Sequence, residues 1–357
     1  MVFSTPGIQT ARCDKVPGRR KRACDAATIT RPCDADELKA PLPAETQADV
    51  QQGRFLSPPG NDQRWGEEMT DLRPAPPTES KALLRSLRER ADDCRTQGRY
   101  ERSEALYREA LALAESVFGP DHLEVSALLN NLAVLYKYTG NFDEAEALYG
   151  RALRITEQKL GPDHVSVATI YHNLGGLEHA RGRYATGEPF ARRSVEIRER
   201  ALGPHHVDVA ADVAALAAIL DGQRKYDESE PLYTRALAIF RAAYGEEHYE
   251  IAINLNNLAA LKQARGHADE AEQLYRRALA LKEKLLGPEH PDVAMTLNNL
   301  AVLLKKQGRH EEAAAMYRRA LAIFEQALGA AHPKVIACRE NYARLRRQMK
   351  SRADEGE

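Results

Sequence analysis

One block of sequence returns every 42 residues from about position 80 onward, with no insertion or deletion. Its clearest marker is a glycine followed three residues later by a histidine. The six copies are Gly119–His122, Gly161–His164, Gly203–His206, Gly245–His248, Gly287–His290 and Gly329–His332. Fixed-period self-similarity predicts a solenoid, in which each unit buries its apolar face against its neighbours. Solenoids usually serve as binding surfaces, so the repeat favours binding over catalysis.

The bulk composition excludes several classes of partner. The 357 residues carry 51 basic and 52 acidic side chains, so no overall charge directs the protein to nucleic acid. The longest apolar run in the repeats, Val213–Leu220, is far shorter than the roughly 20 residues of a membrane-spanning helix. The first residues lack the apolar core of a secretory signal. We therefore expect a cytoplasmic protein without membrane insertion.

The cysteines give no indication of a metal site or a disulfide framework. They number five, lie far apart and include no CxxC pair. The histidines of the repeat cannot share one ion, because packed helices lie about 8–10 Å apart and equivalent residues are two helices apart. We interpret these histidines as loop or helix-cap residues and expect neither a metal nor a cofactor.

Residues 1–79 differ in composition from the rest of the chain. They hold ten of the eighteen prolines and show no helical period, which predicts a disordered N-terminal tail. The basic run Arg19–Arg22 is surrounded by acidic residues, and we interpret it as a solvated part of that tail. Residues 80–350 are predicted to form the repeat array, and residues 351–357 a short disordered C-terminal tail.

Each unit of the array is predicted to be a pair of antiparallel helices. In the first helix of one unit, apolar residues at spacings of three and four (Leu129, Leu132, Ala133, Tyr136) share one face. Gly140 ends this helix, and a second helix follows until Gly161–Pro162, where we expect glycine to adopt a left-handed cap. The array then contains about six units and a closing helix near 336–349.

A 42-residue period alone would also suit HEAT or armadillo units, and small-residue columns decide between them. The first helix repeats Ala133, Gly175, Ala217, Ala259 and Ala301. The second helix carries an aromatic series, Tyr149, Phe190, Tyr233, Tyr275 and Tyr317, which is followed by the column Ala152, Ser194, Ala236, Ala278 and Ala320. This pattern resembles the tetratricopeptide repeat. Leu-Asn-Asn-Leu-Ala at 255–259 and 297–301, and Tyr-Arg-Arg-Ala-Leu at 275–279 and 317–321, are similar to the kinesin-light-chain type.

The resemblance covers about three quarters of the chain and implies an all-α solenoid, a superhelix of helix pairs with a concave groove. Kinesin light chains also carry an N-terminal heptad coiled coil that holds the motor heavy chain. The N-terminal region here is rich in proline and has no heptads. We therefore expect no motor heavy chain among the partners.

The face of each first helix opposite the core is the candidate peptide-binding surface. Asparagine offers both a donor and an acceptor, so it can pair with the backbone of an extended peptide irrespective of sequence. Small apolar residues leave room for the peptide side chains, and the resemblance implies that basic residues bind acidic ones. The predicted binding residues are Asn130, Asn131, Val134, Lys137, His172, Asn173, Asn256, Asn257, Asn298, Asn299, Val302, Lys305 and Lys306.

Two interpretations of the asparagine pairs stay open. One member of each pair, in the Asn131 column, lies at the margin of the packed face, where it can tie neighbouring helices together. The Asn130 column is predicted to contact ligand, with Asn256 and Asn298 exposed. Ala214 and Ala215 replace both asparagines in one middle unit, so the C-terminal half is the favoured site.

The sequence contains no GxSxG motif, no phosphate-binding loop and no paired Cys–His context, so we expect no enzymatic activity. The predicted function is a non-enzymatic protein–protein interaction adaptor whose concave groove binds an extended peptide or a flexible partner segment. The alternative is a scaffold or assembly protein that uses the array for self-association or for docking a folded domain.

Overall fold

The computed structural model describes residues 77–330 and 332–354, and within these ranges it consists of helices and short connections. The helices are α1 (Pro77–Thr96), α2 (Tyr100–Phe118), α3 (Leu123–Thr139), α4 (Phe142–Leu160), α5 (Val165–Ala180), α6 (Tyr184–Leu202), α7 (Val207–Gly222), α8 (Tyr226–Tyr244), α9 (Tyr249–Ala264), α10 (Ala268–Leu286), α11 (Pro291–Lys306), α12 (His310–Leu328) and α13 (Pro333–Asp354). No strand occurs in the described ranges.

These helices form six pairs and a closing helix in the described part of the chain, which confirms the predicted solenoid. Unit 1 is the pair α1–α2, unit 6 is the pair α11–α12, and the two helices of each pair pack against each other. The boundaries differ slightly from prediction. Helix α1 begins at Pro77, inside the predicted tail, and α13 extends to Asp354, into the predicted C-terminal tail. The predictions for 1–76 and 355–357 lie outside the described residues.

Residues with a positive φ separate the helices, and most of them belong to the glycine columns. Gly140 has φ 82° and ψ 4° and caps α3 in the left-handed region. Gly161 differs from the expectation, because its φ of 85° is combined with an extended ψ of 158°. Arg224 takes the glycine position of unit 4 with a φ of 62°, which is sterically unfavourable for a residue with a Cβ atom.

The core follows the small and aromatic columns. Tyr149, Tyr233, Tyr275 and Tyr317 are almost completely buried between helices, and the alanines three residues later are fully buried. In α6, Ala191 and buried Ser194 occupy these two positions, and Phe190 is only partly buried because it lies one position before the tyrosine column. Small residues opposite an aromatic ring allow the two helices of a unit to approach closely and fill the space between them.

The stack of units is curved, and the contacts between helices show the direction. Each odd-numbered helix from α3 to α11 contacts the next odd-numbered helix, whereas no comparable contact joins two even-numbered helices in the described part of the chain. The odd-numbered helices therefore lie on the inner side. We call the inner face of α3, α5, α7, α9 and α11 the groove.

The repeated histidines cap the odd-numbered helices, which confirms the predicted cap role. In each case the imidazole Nδ1 accepts a hydrogen bond from the backbone N–H two residues later, at 3.1–3.3 Å. The capping histidines are His122, His164, His206, His248, His290 and His332. A cap of this kind satisfies one of the backbone donors that the first turn of a helix leaves free.

Candidate functional site

The predicted binding residues all lie on α3, α5, α9 and α11, but they differ in exposure. The partly exposed members are Asn131, Val134, Lys137, Asn298 and Lys305, and Lys306 is exposed. The buried members are Asn130, His172, Asn173, Asn256, Asn257, Asn299 and Val302. The expectation that Asn256 is exposed is wrong, since it retains no accessible surface on a helix that packs between α7 and α11.

Carboxamides of successive units are bonded to each other along the groove. Asn173 Nδ2 donates to Asn130 Oδ1 at 2.8 Å, and Asn299 Nδ2 donates to Asn256 Oδ1 at 3.5 Å. Each bond joins the Asn131 column of one unit to the Asn130 column of the preceding unit. This arrangement matches the interpretation that one carboxamide of each pair ties neighbouring helices together.

Several carboxamide atoms in the C-terminal half have no hydrogen-bond partner in the described structure, although they are buried. They are Asn256 Nδ2, both polar side-chain atoms of Asn257, Asn298 Oδ1 and Asn254 Oδ1. In the N-terminal half, Asn173 Oδ1 is the corresponding asparagine atom. Buried polar groups in folded proteins are nearly always bonded. Units 5 and 6 therefore hold several buried donors and acceptors that have no hydrogen-bond partner in the described part of the chain.

Cationic side chains lie at both ends of the groove. At the N-terminal end, the Arg95 guanidinium carbon and Lys137 Nζ each lie over the Tyr138 ring, 5.9 and 5.8 Å from its centroid. Burial, with a smaller effect of the Arg95 charge, lowers the pKa of Lys137 to about 8. Lys305 and Lys306 end α11 at the other end. Sequence reasoning missed Arg95, although it occupies the Lys137 column one unit earlier.

A buried charged cluster lies between α5, α6 and α7. Asp212 is 2.6 Å from His172 Nδ1 through Oδ1 and 3.0 Å from Arg198 Nε through Oδ2. Arg198 Nη2 also donates to Thr169 Oγ1 at 3.1 Å. Burial lowers the pKa of His172, against an opposing effect of Asp212. The cluster fixes the His172 ring rather than leaving it free to move.

A related cluster lies two units further along the chain, between α9, α10 and α11. Lys282 Nζ donates to Thr296 Oγ1 at 3.0 Å and to the Asp292 carbonyl at 3.3 Å. The Thr296 hydroxyl has two acceptors within reach, Asn256 Oδ1 at 3.2 Å and the Asp292 carbonyl at 3.3 Å. Sequence reasoning missed Lys282 and Arg198. The available signal was a charged residue in a column that holds Phe240 and Phe324 in other units.

Two further properties of the described residues bear on function. The described residues contain no group of three or more histidine, cysteine or acidic side chains placed to hold a metal ion. None of the helices from α1 to α13 is long and apolar enough to cross a membrane.

A family model described as "Tetratricopeptide repeat" matches the chain in six overlapping segments. These are residues 82–158, 124–200, 166–242, 210–284, 250–326 and 292–355. Together they cover more than half of the chain, and each segment spans about two of the units defined above. A search of curated protein sequences found no significant match.

Solved structures with a similar fold include repeat proteins of the kinesin-light-chain type. The crystal structure of BtubC (BKLC) from P. vanneervenii is 29% identical, with a TM-score of 0.53, covering 66% of this chain and 94% of that one. A putative kinesin light chain with TPR-like repeats from Podosopora anserina is 24% identical, with a TM-score of 0.47, covering 58% and 98%. The apo form of RapI is 14% identical, with a TM-score of 0.51, covering 75% and 99%. The last two similarities show no more than the fold.

Proposed function

Because the chain belongs to the tetratricopeptide repeat family, we propose that it is a non-enzymatic adaptor that binds an extended peptide or a flexible segment of a partner protein. The proposed site is the C-terminal half of the groove, on α9 and α11. The observation that carries the proposal is that Asn298, Lys305 and Lys306 keep accessible surface on one helix, α11, beside unbonded carboxamide atoms of Asn257 and Asn298.

A donor or acceptor that a bound peptide covers without bonding costs about 1–3 kcal/mol. A peptide backbone offers N–H and C=O groups at regular spacing, so it can bond an accessible carboxamide such as that of Asn298, whatever its sequence. The site is therefore suited to an extended main chain, and its side-chain preference has to come from neighbouring residues.

Charge at the ends of the groove supplies that preference. Lys305 and Lys306 are the last two residues of α11, and Lys137 with Arg95 lies at the other end of the groove. A cation attracts a carboxylate most strongly where the surroundings are partly dehydrated. We therefore propose that the partner segment is acidic where it passes Lys305 and Lys306.

The test begins with a selection of random 16-residue peptides displayed on phage against the full chain, followed by fluorescence anisotropy on the recovered peptides. The diagnostic variant combines Asn257→Ala and Asn298→Ala. Asn257 makes no side-chain hydrogen bond in the described structure, so its replacement removes no internal hydrogen bond. We expect affinity to fall at least about tenfold, as for the loss of roughly 1–3 kcal/mol.

The matched control is Asn141→Ala, which removes an exposed asparagine with no side-chain cap bond at the start of α4. It should bind recovered peptides like the parent. A folded Asn257→Ala/Asn298→Ala variant with parental affinity would contradict the proposed site. If no peptide is enriched and the mass in sedimentation rises with protein concentration, the scaffold alternative replaces the adaptor.

A further inference from the structure

A glutamate on the second helix of units 2 to 5 ties each of these units to the next one. These residues recur every 42 positions, and we call them the junction glutamates: Glu146, Glu188, Glu230 and Glu272. Each pairs, at 2.6–3.0 Å, with a cation in the connection between the two helices of the next unit. The cations are Arg181, Lys225, Arg265 and Arg309. A carboxylate therefore lies where consecutive units meet.

Two further columns of cations contact the junction glutamates. Arg276, four residues later on the same helix, lies 2.7 Å from Glu272. Lys262, near the end of the first helix of unit 5, lies 2.8 Å from Glu230 of unit 4. Cations from the second helix of one unit and from the first helix of the next thus converge on the same carboxylate position.

At the last junction, between α12 and α13, the carboxylate is missing while both of these cation columns are kept. Ala314 takes the position of the junction glutamates. Arg318 stands in the column of Arg276, and Arg346 stands in the column of Lys262. Neither Arg318 nor Arg346 forms an ion pair in the part of the chain that the structure describes.

A pocket of about 290 Å³ lies at this last junction, and we call it the terminal pocket. The residues that line it are Glu311, Ala314, Arg318, Tyr342, Arg346 and Met349. Both arginines are exposed, and the Arg346 guanidinium carbon lies 5.9 Å from the centroid of the Tyr342 ring. Corresponding columns line a pocket beside α8, where Glu230 supplies the carboxylate.

We propose that the terminal pocket binds an acidic side chain of a partner protein, whose carboxylate takes the position that the junction glutamates occupy in units 2 to 5. A guanidinium offers paired N–H donors that match the two oxygens of a carboxylate. Glu311 at the edge of the pocket repels a second negative charge, which favours a carboxylate over a doubly charged phosphate. The pocket lies on α12 and α13, so this inference does not depend on the proposed peptide site on α9 and α11.

The test is a nuclear magnetic resonance titration of the full chain labelled with 15N-arginine. The probe is the blocked tripeptide acetyl-Ala-Glu-Ala-amide, and acetyl-Ala-Gln-Ala-amide is the neutral control. At constant ionic strength and millimolar concentrations, the glutamate peptide should shift the side-chain N–H signals of Arg318 and Arg346 to saturation, whereas the glutamine peptide should not. Millimolar concentrations are needed because ion pairs at exposed sites are weak.

Two variants of the pocket and one matched control identify the residues that bind. Arg318→Gln should weaken binding of the glutamate peptide about fivefold, through loss of a charged hydrogen-bond donor. Arg276→Gln changes the equivalent arginine one unit earlier, where Glu272 is already present, and should bind like the parent. Ala314→Glu restores the junction glutamate, so it should shift the Arg318 signal without peptide and suppress binding of the peptide.

Three results would overturn the proposal. They are the absence of a saturable shift in the parent, equal binding of the glutamate peptide by Ala314→Glu and the parent, and tighter binding of methyl phosphate than of the glutamate peptide. The Asn257→Ala/Asn298→Ala variant should bind the tripeptide like the parent. Failure of the terminal pocket is therefore distinguishable from failure of the groove.

Discussion

Replacement of Lys282 by methionine should change how stability depends on pH. Burial, opposed by the Asp292 carboxylate and reinforced by the Lys334 charge, lowers the pKa of Lys282 from 10.5 to about 8 in the folded protein. Below pH 8 the ammonium is charged in both states. Between about pH 8 and 10.5 the unfolded chain binds a proton that the folded chain has released, so the free energy of unfolding rises with pH.

The magnitude follows from the size of the pKa change. Each unit corresponds to about 1.4 kcal/mol, so the contribution of Lys282 to stability increases by about 3 kcal/mol from pH 7 to above 10.5. Lys282→Met lacks this increase. Its stability relative to the parent should therefore fall by about 3 kcal/mol over that range, independently of hydrogen bonds lost equally at every pH.

Urea denaturation followed by circular dichroism from pH 7 to 10.5 measures this difference. The pKa of Lys137 is also lowered, but Lys137 titrates in both proteins. Subtracting the stability curve of Lys282→Met from that of the parent therefore removes its contribution. Phe324→Met is the matched control and should differ from the parent by a constant amount. A difference between parent and Lys282→Met that stays flat with pH would refute the argument that the folded chain buries Lys282 at a cost.

Three further substitutions test the account of the repeat. His206→Ala should lower the free energy of unfolding by about 1 kcal/mol through loss of a helix cap, whereas His205→Ala, an exposed neighbour, should have almost no effect in urea denaturation. Arg224→Gly should raise the free energy of unfolding by about 1 kcal/mol, because glycine adopts a positive φ without steric strain; the urea midpoint measures this change. Gly222→Ala should lower it by about 1–3 kcal/mol, because the new methyl would lie 2.4 Å from the Tyr184 ring, and thermal melting should show the loss.

The repeat made most of the fold predictable from the sequence. Helix-end signals such as Gly140 and His164 recur at the same spacing in several units, so the ends of the helices in one unit predict those in the others. The same redundancy explains the small errors. Helix α13 carries Lys350 at the position of the glycine column, so no repeated stop signal ends it before Asp354.

The site was less predictable than the fold. The spacing of a column shows on which face of a helix its residues lie, but it does not show which neighbouring helix covers that face. Asn256 and Asn298 are equivalent in sequence, yet Asn256 is fully buried between units and Asn298 is partly exposed. The difference arises from contacts between units, where Thr296 and Asn299 of the next unit bond Asn256. Such contacts join residues of different units and leave no signal in the period itself.

Chemical-shift mapping on the 15N-asparagine-labelled protein tests the central claim most directly. A peptide recovered from the phage selection is added to the full chain, and the carboxamide signals of Asn256, Asn257, Asn298 and Asn141 are compared. If the groove binds peptide through α9 and α11, the first three shift in proportion to occupancy and exposed Asn141 does not. Shifts confined to Asn141 and other asparagines outside the groove, with Asn257 and Asn298 unchanged at saturation, would contradict the account.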